Sequence, residues 1–443
     1  MISFKDFIFS ENYLIVEDAH MKTHLSHLED LAIEDGKTGF KRFFEHATEI
    51  VKKLRGFETN QQMNAKIDGS PMILFGIDPR PQYAGQFFIS TKSGLSPNNP
   101  KIAHDQNEVQ EFYGQTPDLA KKMNSLLFNL KNAYDNSGKI YQGDVLFGEA
   151  SDKKHIKIGD EDFIAFKPNV IMYAVPVDPN SEISQRVQNA DVGVIVHESF
   201  KGIPINEDKA IRLESQGKNV ESLVQSSKAS DAFIQSSNYG ELRIDVPDKY
   251  FDDINKLVNL AKADIEKISD QFDQQYITSG ILDYLKIFLN KQVDLGESGF
   301  FGKVSADEEI MFDQFIADFK NFLTQKFGVE AEKKKTEKGK ASVQAKLNQF
   351  LMFVDQNQEN IINLLQATVS MLKVKNILLK IFSGLDSKVG KTFIQHPDGS
   401  FTKTKDEGYV LFVGTNHVKI VDRLDFTKTN RAFGGKKRTG IIS

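Results

Sequence analysis

The sequence predicts an α+β protein in which a region of antiparallel strands is interrupted by a large all-helical insertion and completed by the last strands. Three observations predict it. Between Ala65 and Phe200, short β-rich segments bounded by Gly, Pro, Asn and Asp follow one another. After Pro247 the apolar spacing turns helical and stays so for well over a hundred residues. Strand signals then return from Tyr409 onward. The expected domains are 1–247, 248–392 and 393–443.

Residues 38–56 place Phe40, Phe43, Phe44, Ala47, Ile50, Val51 and Leu54 at helical spacing, an amphipathic helix leading into the first strands. "PMILFGID", "GQFFISTKSG", "KIYQGDVLFG", "FIAFKPNVIMYAVPV" and "DVGVIVHESF" read as strands, with one helical run from Pro117 to Tyr134 among them. The alternation of strand and helix that a doubly wound sheet needs is missing. "FDDINKLVNLAKADIEKI", "ILDYLKIFLNKQV", "DEEIMFDQFIADFKNFLTQKF" and "IINLLQATVSMLKVKNILLKIF" carry the i, i+3, i+4, i+7 pattern of helices. The charged stretch "EAEKKKTEKGKASVQAK" reads as a solvated linker or helix face, with a basic patch for nucleic acid as the alternative. "GYVLFVG" and "HVKIVDRLDF" are the closing strands, followed by the basic tail "GGKKRTGIIS".

Composition narrows the function classes. A net charge of −5 over 443 residues gives no global attraction to nucleic acid or anionic membrane, so any such surface is local. The absence of Cys excludes disulfides, thiolate-bound zinc and thiol catalysis. The first residues, "MISFKDFIFSENYLIVEDAH", mix Lys5, Glu11 and Glu17 with apolar residues and do not form a signal peptide. No apolar stretch is long enough to span a bilayer, and the expected location is the cytoplasm. The 35 Phe residues against no Trp speak to core filling.

"NAKIDGSPMILFGID" sets Lys66 just ahead of Asp68 and Gly69, before an apolar run. By itself this is turn chemistry, and a lysine there is ordinarily solvated. Other strand-associated pieces change its weight. Lys92 stands beside a glycine at a strand end, Asp144 follows Gly143 within a strand, and Glu407-Gly408 heads a strand whose neighbour carries Lys419. The Gly-Thr-Asn turn between those last two strands reads as a hairpin holding Glu407 and Lys419 in one neighbourhood.

Together these pieces resemble the covalent nucleotidyltransferase superfamily of ATP-dependent DNA ligases, RNA ligases and mRNA capping enzymes. "KIDG", "STKSG", "QGDVL", "EGYVL" and "VKIV" match its ordered motifs I, Ia, III, IV and V. The likeness is closest to ligase-like proteins of large tailed phages, which places the expected location in a host's cytoplasm. It covers about 65–200 and 400–425, not the helical block. The resemblance implies an antiparallel-sheet nucleotidyltransferase domain, ATP-grasp-like, and an ATP-dependent polynucleotide ligase. Lys66 is then the nucleophile that forms lysyl-AMP, with Asp68 and Gly69 completing its loop. Lys92 and Asp144 lie near the ribose, Glu407 and Asp144 serve Mg²⁺ or Mn²⁺, and Lys419 contacts the α-phosphate. Tyr173 or Phe166 stacks on the base. The chemistry requires a neutral amine, and nearby cations such as Lys419, Lys92 and a metal are expected to lower the pKa of Lys66.

Departures from the family pattern leave alternatives open. The motif Ia residue is Lys92 where Arg is usual, and the motif III acid is Asp144 or Glu149. Val421 replaces the second motif V lysine. Only a short tail follows motif V, so no C-terminal oligonucleotide-binding barrel is expected, which favours an RNA-ligase type. The partner would be RNA or DNA ends bound through a local basic surface. The alternatives are GTP or a protein acceptor, or a ligase-derived fold without catalysis. His20, His24 and His27 fall at i, i+4, i+7, where a structural role is favoured over zinc.

Overall fold

The computed structural model describes residues 25–205, 210–240, 242, 244–385, 387–396, 398–404, 407–414 and 416–425. Its strands run in chain order as β1 (Gln61–Ala65), β2 (Met72–Ile77), β3 (Phe87–Thr91), β4 (Ile140–Phe147), β5 (Lys154–Ile158), β6 (Glu161–Phe166) and β7 (Met172–Pro176). They continue as β8 (Val192–Ile205), β9 (Ala210–Gly217), β10 (Ala232–Ser236), β11 (Lys391–Gln395), β12 (Phe401–Lys403), β13 (Tyr409–Val413) and β14 (Asn416–Ile420).

Three sheets form an α+β architecture. The largest has the order β10-β8-β4-β2-β3, with β9 also on β8. Every pairing in it is antiparallel except β10 with β8. Strand β2 shows why its sequence is almost continuously apolar. Ile73 and Phe75 pack towards the Pro117–Ala133 helix, while Leu74 packs with Phe88, Ile140 and Phe200 on the other face. Register shifts in the β4–β8 and β8–β9 ladders curl this sheet, since a bulge adds local twist.

The second sheet is antiparallel in the order β12-β11-β7-β6-β5. The single run expected over 163–177 is divided between β6 and β7, because Pro168 at their turn has no N–H for a ladder. The third sheet, β1-β13-β14, brings the two ends of the described chain together. Antiparallel register pairs Asn64 with Val410, and Val410 with Lys419. The expected hairpin of the last two strands is present, closed by the pairing of Val413 with Asn416.

Between Asp248 and Phe382 the structure is helical, as the spacing predicts. Much of the phenylalanine excess is here: Phe288 lies 5.1, 5.5 and 5.4 Å from Phe315, Phe319 and Phe322, centroid to centroid. Strand β11 begins at Lys391 and pairs with β7, so the boundary expected at 392 falls inside a strand. The first helix, Leu31–Leu54, packs on this region: the Tyr276 hydroxyl donates to Ile33 O at 2.8 Å. That helix kinks at Gly36, whose φ of +53° suits glycine, and Asp273 Oδ1 accepts from Lys37 N at 2.9 Å there. No helix among the described residues is long and apolar enough to cross a membrane.

Candidate functional site

Lys66 stands where β1 ends. Its backbone N–H donates to Gly408 O at 2.8 Å, which pins the start of the "KIDG" loop to the head of β13. The other side of the loop lies on β4: Ser70 N donates to Val145 O at 2.9 Å. A Cβ at Gly69 would come within 2.5 Å of that carbonyl and 2.8 Å of Asp144 Cβ. Glycine is required at 69 by this close approach.

The Lys66 amine is held by two carboxylates. It donates to Glu407 Oε2 at 3.0 Å and pairs closely with Asp68. The Tyr173 hydroxyl donates to the other oxygen of Glu407, also at 3.0 Å. Burial works to lower the Lys66 pKa, but Glu407 and Asp68 outweigh it and hold the ammonium above its usual range. The expectation that neighbouring cations dominate this amine is therefore corrected: two carboxylates touch it first. Burial pushes Glu407 up to about 8; its pairing with Lys66 opposes that rise, and the negative charge of Asp68 adds to it. Burial also acts to raise Asp68, but Lys66 reverses this and holds it below the ordinary carboxylate range. One ammonium shared by two carboxylates leaves an excess negative charge, which Glu407 relieves by keeping a proton.

Lys66 and Asp68 open onto a cleft of about 770 Å³. Lys92, at the start of a 3₁₀ turn after β3, and Asp144, on β4, line it too. Glu149, the alternative to Asp144, instead pairs with Lys121 at 2.7 Å and is not part of the lining. Lys419 shares a face of its sheet with Asn64 and Val410, both in the cleft wall. Burial lowers the Lys419 pKa, and the charges of Arg423 and Lys66 lower it further. Tyr173 is placed differently from a base platform. It is 3% exposed, stacks on Phe166 at 6.0 Å and lies behind the lysine, away from the cleft; Phe166 is buried as well.

Other cleft residues carry no motif. His197 Nε2 lies 3.3 Å from Asp144 Oδ2, and its Nδ1 is 3.0 Å from Ser237 Oγ. Glu198 and Lys218 form an ion pair in the lining. A lone histidine and separate charges offered no spacing from which to find them. His27 lies in an extended segment bridged to Lys419, with its pKa lowered mainly by burial, rather than on a helix face; His20 and His24 lie outside the described residues.

Among the described residues, no three His, Asp or Glu side chains converge as a ready-made metal cage. Mg²⁺ is commonly held by one or two carboxylates together with substrate phosphates. The hard oxygens of Asp68 and Asp144, both on the cleft wall, fit that description, whereas Glu407 is 3% exposed and both its oxygens already accept hydrogen bonds. The search among curated proteins and the search among solved structures each find no match. A family model described as a family of unknown function (DUF6267) matches residues 22–434, and with nearly the whole sequence inside that match the chain belongs to this family.

Proposed function

We propose that this chain is a covalent nucleotidyltransferase of the ATP-dependent polynucleotide ligase type, nearer the RNA ligases, built on a nucleotidyltransferase domain that the helical region interrupts. One observation carries the reading. The lysine of "KIDG" meets the glutamate of "EGYVL", 341 residues further on, at the wall of a cleft that also holds Lys92 and Asp144.

In the first step Lys66 Nζ, deprotonated, attacks the α-phosphorus of ATP. The N–P bond forms as the bond from α-phosphorus to the bridging oxygen breaks, and pyrophosphate leaves with that electron pair. Asp68 is the ionised group placed to take the ammonium proton, and Glu407 can take it once it has lost its own. Lys419 and Lys92 supply positive charge for the phosphates. Asp68 and Asp144 would hold Mg²⁺ or Mn²⁺, which would supply positive charge against the carboxylates and the leaving pyrophosphate. A 5′-phosphate oxygen then displaces the lysine amine to take up AMP, and a 3′-hydroxyl displaces AMP to seal the strand.

A second reading, a ligase-derived binding module without catalysis, is favoured by two observations. Val421, buried, stands where the family has its second motif V lysine, and Lys66 is held as an ammonium. Incubation with α-labelled ATP and GTP separates the readings. We expect label and an AMP mass increment from ATP, lost in Lys66→Ala. Label from GTP alone would point to a capping-type or other acceptor, and no label with nucleic-acid binding intact would select the binding module.

A further inference from the structure

We propose that Glu198 and Lys218, on the wall of the cleft beyond Lys66, read the hydrogen-bonding edge of the nucleotide's adenine base. This rests on the reading of the cleft as a nucleotide site. Glu198 belongs to β8 and Lys218 follows β9 directly, and the curl of the sheet turns both into the cleft. Their side chains are 12% and 7% exposed and pair closely with each other. The Ser215 hydroxyl donates to Glu198 Oε1. Lys218 Nζ sits 4.2 Å above the Phe412 ring, and the His417 ring meets the same phenyl edge-on at 4.7 Å.

Withdrawing two charges from water is costly, and an apolar pair of similar volume holds a fold at least as well. A buried ion pair on a cavity wall therefore points to a ligand. Counting groups shows what this pair still offers. Glu198 Oε1 accepts from Ser215 and Oε2 from Lys218, and each oxygen keeps a further acceptor position. Lys218 gives one N–H to Glu198 and retains others. An acceptor and a donor remain side by side. The N6 amine and N1 of adenine are their complement.

Position agrees with this assignment. Phe412 pairs in register with Gln62, four residues before Lys66, which is about 13 Å along an extended strand. An extended nucleoside monophosphate spans such a gap, with its phosphate at Lys66 and its base edge at the ion pair. Met72, Phe200 and Val410 supply apolar wall for the faces of the ring. Burial lowers the Lys218 pKa, and Glu198 opposes that, so each charge depends on the other.

The test compares ATP with purine riboside triphosphate, which lacks the 6-amino group, by titration calorimetry on Lys66→Ala protein. Without the nucleophile, binding is read apart from chemistry. ATP is expected to bind on the order of tenfold to a hundredfold tighter than the analogue. The double variant Glu198→Leu/Lys218→Met, made in the same background, is expected to bind both nucleotides alike. Should that variant fail to fold, Glu198→Gln is expected to narrow the preference severalfold. A preference that survives these changes, or equal binding before any change, overturns the inference. Labelling of the wild-type chain by α-labelled ATP decides the parent reading separately. Label without base discrimination sinks this inference alone, and absence of both label and ATP binding sinks the two together.

Discussion

Two regions of the molecule hold charge out of water, and they do so in opposite ways. Where the helical region meets the closing strands, Lys375 Nζ donates to Glu29 Oε1 at 2.7 Å, and Arg423 reaches both Glu29 and Asp30. The Lys375 and Glu29 side chains are 3% and 0% exposed. At the candidate site, Lys66 and Asp68 are 18% and 37% exposed and face the cleft, while Glu407 behind them is 3% exposed. The first cluster sets two cations against two acids inside the fold, and none of the four lines the described cleft. The second sets one ammonium between two carboxyl groups and turns Lys66 and Asp68 to the cleft. A closed cluster ties segments together; an open one retains protons and charge that can be exchanged.

The largest expected effect breaks the comparison at its open end. Lys66→Ala should abolish the AMP mass increment while changing stability little, because Glu407 already tends to hold a proton and can remain neutral without its partner. Intact-mass spectrometry and chemical denaturation check both halves; continued incorporation of AMP would move the nucleophile elsewhere. At the closed end the same kind of truncation should act on stability. Lys375→Met leaves Glu29 with the longer contacts to Arg423 and His27, and the cost should be about 3–5 kcal/mol. A urea midpoint that barely moves would show that the cluster does not hold these segments together.

Much of the fold was legible because it is written in local pattern. The short apolar runs of β2 and β13 and the long helical stretches survive in the structure, since burial of one face or both dictates them. The candidate residues were legible for another reason: Lys66, Asp68, Gly69, Asp144 and Glu407 lie in short ordered motifs beside glycines that permit close backbone approach. What could not be read was the arrangement of charge. No spacing shows that Glu407 touches Lys66 before any cation does, or that Tyr173 turns its hydroxyl to Glu407 with its ring outside the cleft. The Glu198–Lys218 pair joins two strands through a curl that depends on bulges, and bulges leave little trace in an alternating pattern.

A buried group kept neutral sharpens the same comparison. His46 lies on the Leu31–Leu54 helix, fully buried, with the Gln61 side chain as its polar neighbour. Burial pushes its pKa down to about 4 from 6.5. The unfolded chain thus binds a proton more readily than the native one between those values. Stability is full above about pH 6.5 and falls as the pH drops towards 4, by about 3 kcal/mol in all. His46→Gln should flatten that acid slope, read from denaturation midpoints between pH 4 and 7. An unchanged slope would assign the acid sensitivity to the charged clusters instead.

The smallest effect concerns the hydroxyl that supports Glu407. Tyr173→Phe removes the donor at 3.0 Å from Glu407 Oε1, and with it a bond that favours the ionised carboxylate. The stability cost should be about 1 kcal/mol, the net worth of one such bond. The informative change is in pH dependence. If Glu407 must be ionised to take the Lys66 proton, nucleotidylation rises with pH through the Glu407 pKa, which already stands near 8. Losing the tyrosine hydroxyl moves that pKa higher. The variant should therefore label several times more slowly near neutrality yet approach the wild-type rate in alkaline buffer. A midpoint that stays where it was, with the rate lowered equally at every pH, would mean that Tyr173 shapes the pocket without tuning its acid. The open cluster would then differ from the closed one in exposure alone.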